Sequence, residues 1–278
     1  MKPITRETAR MRHRCGCGSS VAGPRAGASV SSVTPPPCPP APSDRRASRH
    51  RLCPVREGYV LAWDRRGPPP SGFWGEELVA PYRAFTEAGH QVVIATPGGV
   101  VPVVDQASLA ADANGGQDNA DAVAAALDDI TDLTSPVSLD SVDAAEYDVV
   151  FYPGGHGPME DLSVDPTSAD LLTATLASGK PLGIVCHAPA ALLATESDAG
   201  SPFSGYRMTG FTNAEEEQAG LADKAPWLLQ DRLVALGADF SEADPWSVNV
   251  VVDRNLYTGQ NPASSGPLAV EILAALDA

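Results

Sequence analysis

Cys186 and His187 stand together where the apolar run Gly183-Ile184-Val185 gives way to Ala188-Pro189. A strand that ends, a polar pair and a helix that starts within three residues describe a nucleophile elbow, in which a sharp turn forces the side chain out above a helix N-terminus. The partial positive charge of that terminus is expected to stabilise a thiolate, lower the thiol pKa and make the sulfur reactive. The plainer alternative is a buried structural cysteine, the commoner state of a lone thiol. The adjoining imidazole of His187 favours chemistry. A second apolar run leads into Pro153-Gly154-Gly155-His156-Gly157. Glycines after a strand leave room for backbone N–H groups to face a reacting oxygen, although Pro-Gly-Gly is also ordinary turn chemistry. Glu76 and Glu77 open a predicted helix, where such a pair normally complements the helix dipole. Glu77 shares a face with Pro81 and Phe85, so it is the one expected to reach a pocket. The run Glu215-Glu216-Glu217 reads, by itself, as solvated charge.

Counting residues removes rivals. The five histidines are His13, His50, His90, His156 and His187, so the distant C-terminal His-x-Glu pair of glutamine amidotransferases has no counterpart beyond position 187. Four of the five cysteines, Cys15, Cys17, Cys38 and Cys53, precede residue 57, leaving Cys186 alone in the body. A disulfide framework cannot hold such a body together, which suits a reducing cytoplasm. The spacings of the four early cysteines match no zinc module, and no pair of His, Cys or acidic residues has helical ligand spacing. Neither a metal nor a cofactor is expected.

These residues need elements to position them. From Tyr59 the chain alternates short apolar runs with amphipathic segments. Strands are predicted at Tyr59–Trp63, Gln91–Thr96, Tyr147–Tyr152, Leu182–Val185, near Val248–Val252 and at Leu256–Thr258, with a short segment at Tyr206–Thr209. Helices are predicted at Gly75–Ala88, Asp118–Ile130, Pro166–Ala177, from Pro189, at Ala225–Leu236 and at Pro262–Leu276. This alternation predicts an α/β fold with a mostly parallel sheet covered on both faces, its sites lying beyond the carboxyl ends of the strands. The loops after Tyr152 and Val185 should meet there.

Residues 1–56 are rich in Arg, Ser, Pro, Ala and Gly without apolar periodicity, and are expected to be disordered because burial cannot offset their ordering entropy. The segment resembles a transit peptide and lacks the apolar region of a secretory signal. An over-extended or frame-shifted start is an equal alternative. Over 278 residues the net charge is −16, but it is unevenly placed. Residues 1–66 carry 13 Lys or Arg and 4 Asp or Glu, leaving 6 basic and 31 acidic residues in the remainder. An acidic body repels nucleic-acid phosphates and anionic lipids, so neither is expected as a partner. No apolar run approaches the roughly 20 residues of a membrane-spanning helix.

Five stretches coincide, in order, with one family. They are Ser71-Gly72-Phe73-Trp74-Gly75-Glu76-Glu77 through Pro81, Tyr147 through Leu162, Cys186-His187-Ala188-Pro189-Ala190, Thr209-Gly210-Phe211-Thr212-Asn213 and Thr258-Gly259-Gln260-Asn261-Pro262-Ala263-Ser264. On these, residues 58–278 resemble the DJ-1/PfpI superfamily of class I glutamine-amidotransferase-like proteins, in its heat-shock, glyoxalase III-like branch. The resemblance implies a flavodoxin-like three-layer sandwich with Cys186 as nucleophile and His187 as its acid/base. It also implies a protonated pocket carboxyl at Glu77, a histidine-orienting acid at Glu216 (Glu215 being the next choice), and oxyanion donors on the backbone of Gly155 and His187. His156 and Trp246 are expected to line the pocket. The implied activity is glutathione-independent conversion of methylglyoxal and related 2-oxoaldehydes to 2-hydroxy acids in a cytoplasmic homodimer. A cysteine hydrolase (deglycase or peptidase) and a holdase chaperone are the alternatives. In one region the chain departs from the pattern: Tyr59-Val60-Leu61-Ala62-Trp63 is a poor version of the family's aliphatic opening strand.

Overall fold

The computed structural model describes residues 71–277. The expectations for residues 1–56, the four early cysteines and the strand Tyr59–Trp63 lie outside the described residues. Three parallel strands form the centre: β3 (Val150–Tyr152), β4 (Leu182–Val185) and β8 (Leu256–Gly259), with β7 (Val250–Asp253) antiparallel on β8. Two further parallel pairs flank them, β1 (Ala95–Thr96) with β2 (Val137–Ser138) and β5 (Arg207–Met208) with β6 (Asp239–Phe240). Every residue of β3 and β4 is buried. Such continuous burial requires cover on both faces, as parallel sheets have.

Helices supply it. α1 (Gly75–Glu87) packs against α7 (Ser265–Leu276), and α7 against β4 and β8. α4 (Pro166–Ser178), α6 (Leu229–Ala235) and a 3-10 helix at Ala188–Thr195 pack together in another layer. The fold is therefore the flavodoxin-like three-layer α/β sandwich. α2 (Gln117–Asp129) lies against α1, while α3 (Gly157–Glu160) and α5 (Asn213–Gln218) are single short turns beside the site. No described helix is long and apolar enough to cross a membrane.

Local chemistry explains most boundaries. In α4, Asp165 accepts from Ser168 N at the N-cap, Pro166 takes the first turn, and Gly179 in a left-handed conformation stops the helix. Several expectations need correction. The strand Gln91–Thr96 contracts to Ala95–Thr96, and the helix Ala225–Leu236 begins only at Leu229. Leu228 is extended and its side chain caps nothing, so the apolar pattern before it makes loop contacts instead. The segment after Cys186 is a 3-10 helix rather than an α-helix, with Ala188 through Leu193 buried throughout.

Candidate active site

Cys186 follows the last residue of β4 with a φ of 58°. A non-glycine residue held in the left-handed region is strained, and persists only where its surroundings over-determine it. Here Cys186 N donates to Gly259 O on the neighbouring strand and Phe211 N donates to Cys186 O, both at 2.9 Å. The end of the neighbouring strand and the Phe211 loop thus hold the elbow from both sides.

The loop after β3 forms the opposite wall. Trp74 N donates to Gly154 O and Gly157 N to Gly72 O, joining this loop to the residues that open α1. A Cβ on Gly154 would stand 2.5 Å from Glu77 Oε2, 2.7 Å from Val185 O and 2.8 Å from Cys186 Cβ. Gly155 has a φ of 94°, and a Cβ there would meet Gly72 O at 2.3 Å. Only glycine lets these backbones converge. The Gly155 N–H reaches the cysteine sulfur and favours its charged form.

Glu77 comes up from beneath, on the face of α1 that also buries Pro81 and Phe85. Pro81 lacks an N–H for the carbonyl of Glu77, a local helix defect. The Glu77 side chain is fully buried, and its Oε2 accepts from Gly154 N at 2.7 Å. Its Oε1 has no partner within ordinary hydrogen-bond limits, although the carboxyl and the Cys186 sulfur lie close enough to shift each other's ionisation. Burial pushes Glu77 up to about 8, so it holds a proton at neutral pH.

The thiol departs from the sequence expectation. Cys186 is only 2% exposed. Burial, and then the Glu77 charge, push its pKa up rather than down. A short 3-10 helix does not outweigh the desolvation of a sulfur anion at this depth. Two buried neighbours cannot both be anionic cheaply, and the proton retained by Glu77 removes its repulsion from a thiolate. An imidazole is in contact with the thiol: His187 Nδ1 lies 3.2 Å from Cys186 Sγ.

On the other side of that ring, His187 Nε2 is 2.7 Å from Glu216 Oε2, while Glu216 Oε1 is 3.0 Å from His156 Nε2. Burial opposes the charge of Glu216, yet the hydrogen bonds from both imidazoles hold its carboxyl below the usual range. Burial, with His156 adding to it, lowers His187 to about 4. A neutral His187 therefore donates Nε2–H to Glu216 and presents the Nδ1 lone pair to the thiol. The imidazoles stack with centroids 4.0 Å apart, and Phe211 packs on His187 at 4.3 Å.

The structure separates the two glutamates that the sequence left open. Glu216 faces the histidines. Glu215 is fully buried and completes a capping box with Thr212, while its Oε1 accepts from Trp246 N at 2.9 Å and Asn261 Nδ2 at 2.8 Å. It fastens the loop that carries Trp246, another left-handed residue with a φ of 65°. The reading of this acidic run as solvated holds for neither residue. What the sequence missed is the bond from His156 to Glu216, because residues 60 apart in the chain give no local signal.

Cys186, His187 and His156 line a pocket of about 320 Å³, together with Trp74, Asp105, Phe211 and Trp246, among others. Such an enclosed recess lets a residue be nearly inaccessible to bulk solvent and still face a small ligand.

The chain is similar to several known proteins. The chain is 35% identical over 140 residues to a human glutamine amidotransferase-like class 1 domain-containing protein 1, a match covering 50% of this chain and 64% of that protein. It is 30% identical over 213 residues to the glutathione-independent glyoxalase HSP31 of Saccharomyces cerevisiae, covering 74% of this chain and 90% of the relative. The fold matches the X-ray structure of the Francisella tularensis Rapid Encystment Protein with a TM-score of 0.72 and 28% identity, over 82% of this chain and 99% of that one. The sequence model of the DJ-1/PfpI family matches residues 71–275, and the chain belongs to that family.

Proposed function

We propose that this protein is a glutathione-independent glyoxalase that converts 2-oxoaldehydes, methylglyoxal among them, to 2-hydroxy acids. The observation carrying this reading is the continuous chain Cys186–His187–Glu216, whose first two members line a pocket, with a protonated Glu77 beneath the sulfur. His187 Nδ1 takes the thiol proton as Sγ attacks the aldehyde carbon, and the Gly155 N–H lies on the side where the carbonyl oxygen gains charge. Return of the proton to that oxygen gives a hemithioacetal. A base then removes the hydrogen on the former aldehyde carbon, and a proton is delivered to the adjacent carbon through an enediol. The first carbon is oxidised to a thioester as the second is reduced to an alcohol, so no external oxidant enters. Water cleaves the thioester and restores the thiol. Glu216 keeps the Nε2–H tautomer that leaves Nδ1 free, and stabilises the imidazolium when it forms.

One observation favours a second reading, hydrolysis of glycated adducts by the same cysteine. At about 320 Å³ the pocket holds on the order of ten water volumes, more than a three-carbon aldehyde fills. One experiment separates the two. Purified protein is incubated with methylglyoxal without glutathione, and lactate is measured beside Cys186→Ser. Lactate from the unmodified chain alone supports the glyoxalase. Release of free amine from a glycated substrate without lactate from methylglyoxal supports the hydrolase.

A further inference from the structure

His156, His187 and Glu216 belong to three segments widely separated in the sequence, yet their donor atoms all lie within 4.8 Å of one another, and all three residues are buried. Among the described residues they are the group of three such side chains with this spacing. Two imidazole nitrogens and a carboxylate are a donor set that zinc accepts, with a further position left for water. His156 and His187 are both pocket-wall residues, so an ion has an entry path. Among the described residues the same wall carries Asp105 and no lysine or arginine, which makes that path favourable to a cation.

We propose that these three side chains form a binding site for a divalent zinc-class ion, and that the ion inhibits the cysteine rather than serving it. The ion would take the place of the hydrogen-bond protons now between the imidazoles and Glu216, with the carboxylate turning slightly to ligate. Inhibition follows from tautomer chemistry. A neutral imidazole that ligates through Nε2 carries its proton on Nδ1. On His187 that nitrogen is the one 3.2 Å from Cys186 Sγ, so it would donate to the sulfur and could no longer take its proton. The sulfur itself need not touch the metal. Binding stands apart from the proposed glyoxalase activity; only the inhibition rests on it.

The test uses the full chain. Zn²⁺ binding is measured by equilibrium dialysis, with Co²⁺ as a spectroscopic substitute, for the unmodified chain, His156→Asn, His156→Gln, Glu216→Gln and Cys186→Ser. Any ion held by the cysteines before residue 57 is common to all five and cancels in the comparison. Side chains that only hydrogen-bond to metal ligands are each worth about 10–100-fold in affinity, so loss of a ligand itself should weaken this site by at least about 100-fold. The expected result is one equivalent fewer in both His156 variants and in Glu216→Gln, with the equivalent retained in Cys186→Ser. The Co²⁺ difference spectrum between the unmodified chain and His156→Gln should show visible d–d bands without thiolate-to-cobalt charge transfer. Equal stoichiometry in the unmodified chain and folded His156→Gln overturns the site, as does loss of the equivalent in Cys186→Ser. Chelator-reversible loss of lactate formation in the unmodified chain is expected as well. A chain that makes no lactate but binds the ion as described leaves the site standing and sinks the glyoxalase reading.

Discussion

Replacing Glu77 by Gln should stabilise the protein, and by an amount that depends on pH. Gln keeps an oxygen to accept from Gly154 N, as Glu77 Oε2 does at 2.7 Å, but it cannot ionise. In the fold, Glu77 is fully buried and titrates at about 8 against an ordinary value of 4.5. Below pH 4.5 folded and unfolded chains are both protonated, and the group costs nothing. Between 4.5 and 8 the unfolded chain has released a proton that the folded chain retains, so stability falls as pH rises; above 8 the loss is complete. Each pKa unit is worth about 1.4 kcal/mol, so the full span amounts to about 5 kcal/mol. The part expressed is under about 1 kcal/mol at pH 5 and about 3 kcal/mol at pH 7. Urea unfolding of both proteins at pH 5, 6, 7 and 8 measures it, provided the m-value is unchanged. The advantage of Glu77→Gln should grow by about 2–3 kcal/mol from pH 5 to pH 7. A difference that stays flat across this range would refute the claim that burial holds a proton on Glu77.

Three other substitutions probe the rest of the site. Glu216→Gln places an amide donor against His187 Nε2 and favours the Nδ1–H tautomer, so steady-state kinetics should show kcat lower by about two to four orders of magnitude. Gly154→Ala would push a methyl against Val185 O and Glu77. It should cost about 1–3 kcal/mol in denaturant unfolding and remove most activity, because the sulfur, the carboxyl and the loop cannot all keep their places. Glu215→Ala leaves Trp246 N and Asn261 Nδ2 without their buried acceptor. A stability loss of about 2 kcal/mol or more is expected, with a red shift in tryptophan emission as the loop loosens.

Much of this was legible in the sequence. The alternation of short apolar runs with capped helical stretches announced the α/β class because a buried parallel strand has few compositions open to it, and Leu182–Val185 is one of them. Pro189 after Cys186 and Gly179 after α4 mark backbone events that follow from single residues. Glu77 could be picked from a pair because helical periodicity alone puts it on the face with Pro81 and Phe85.

Other features belong to no local pattern. The thiol's pKa rises because of what buries it, and burial is a property of packed layers rather than of an elbow. Glu215 and Glu216 are chemically identical and adjacent, and their separate partners depend on where the loops bearing His187 and Trp246 cross α5. The meeting of His156, His187 and Glu216 is of the same kind, hidden from any test of ligand spacing because each residue comes from a different, distant segment of the chain. Sequence dictates periodicity, caps and turns, since these are short-range properties of the chain. The charge state of the sulfur and the partners of each acid arise only when distant loops close a space that excludes water.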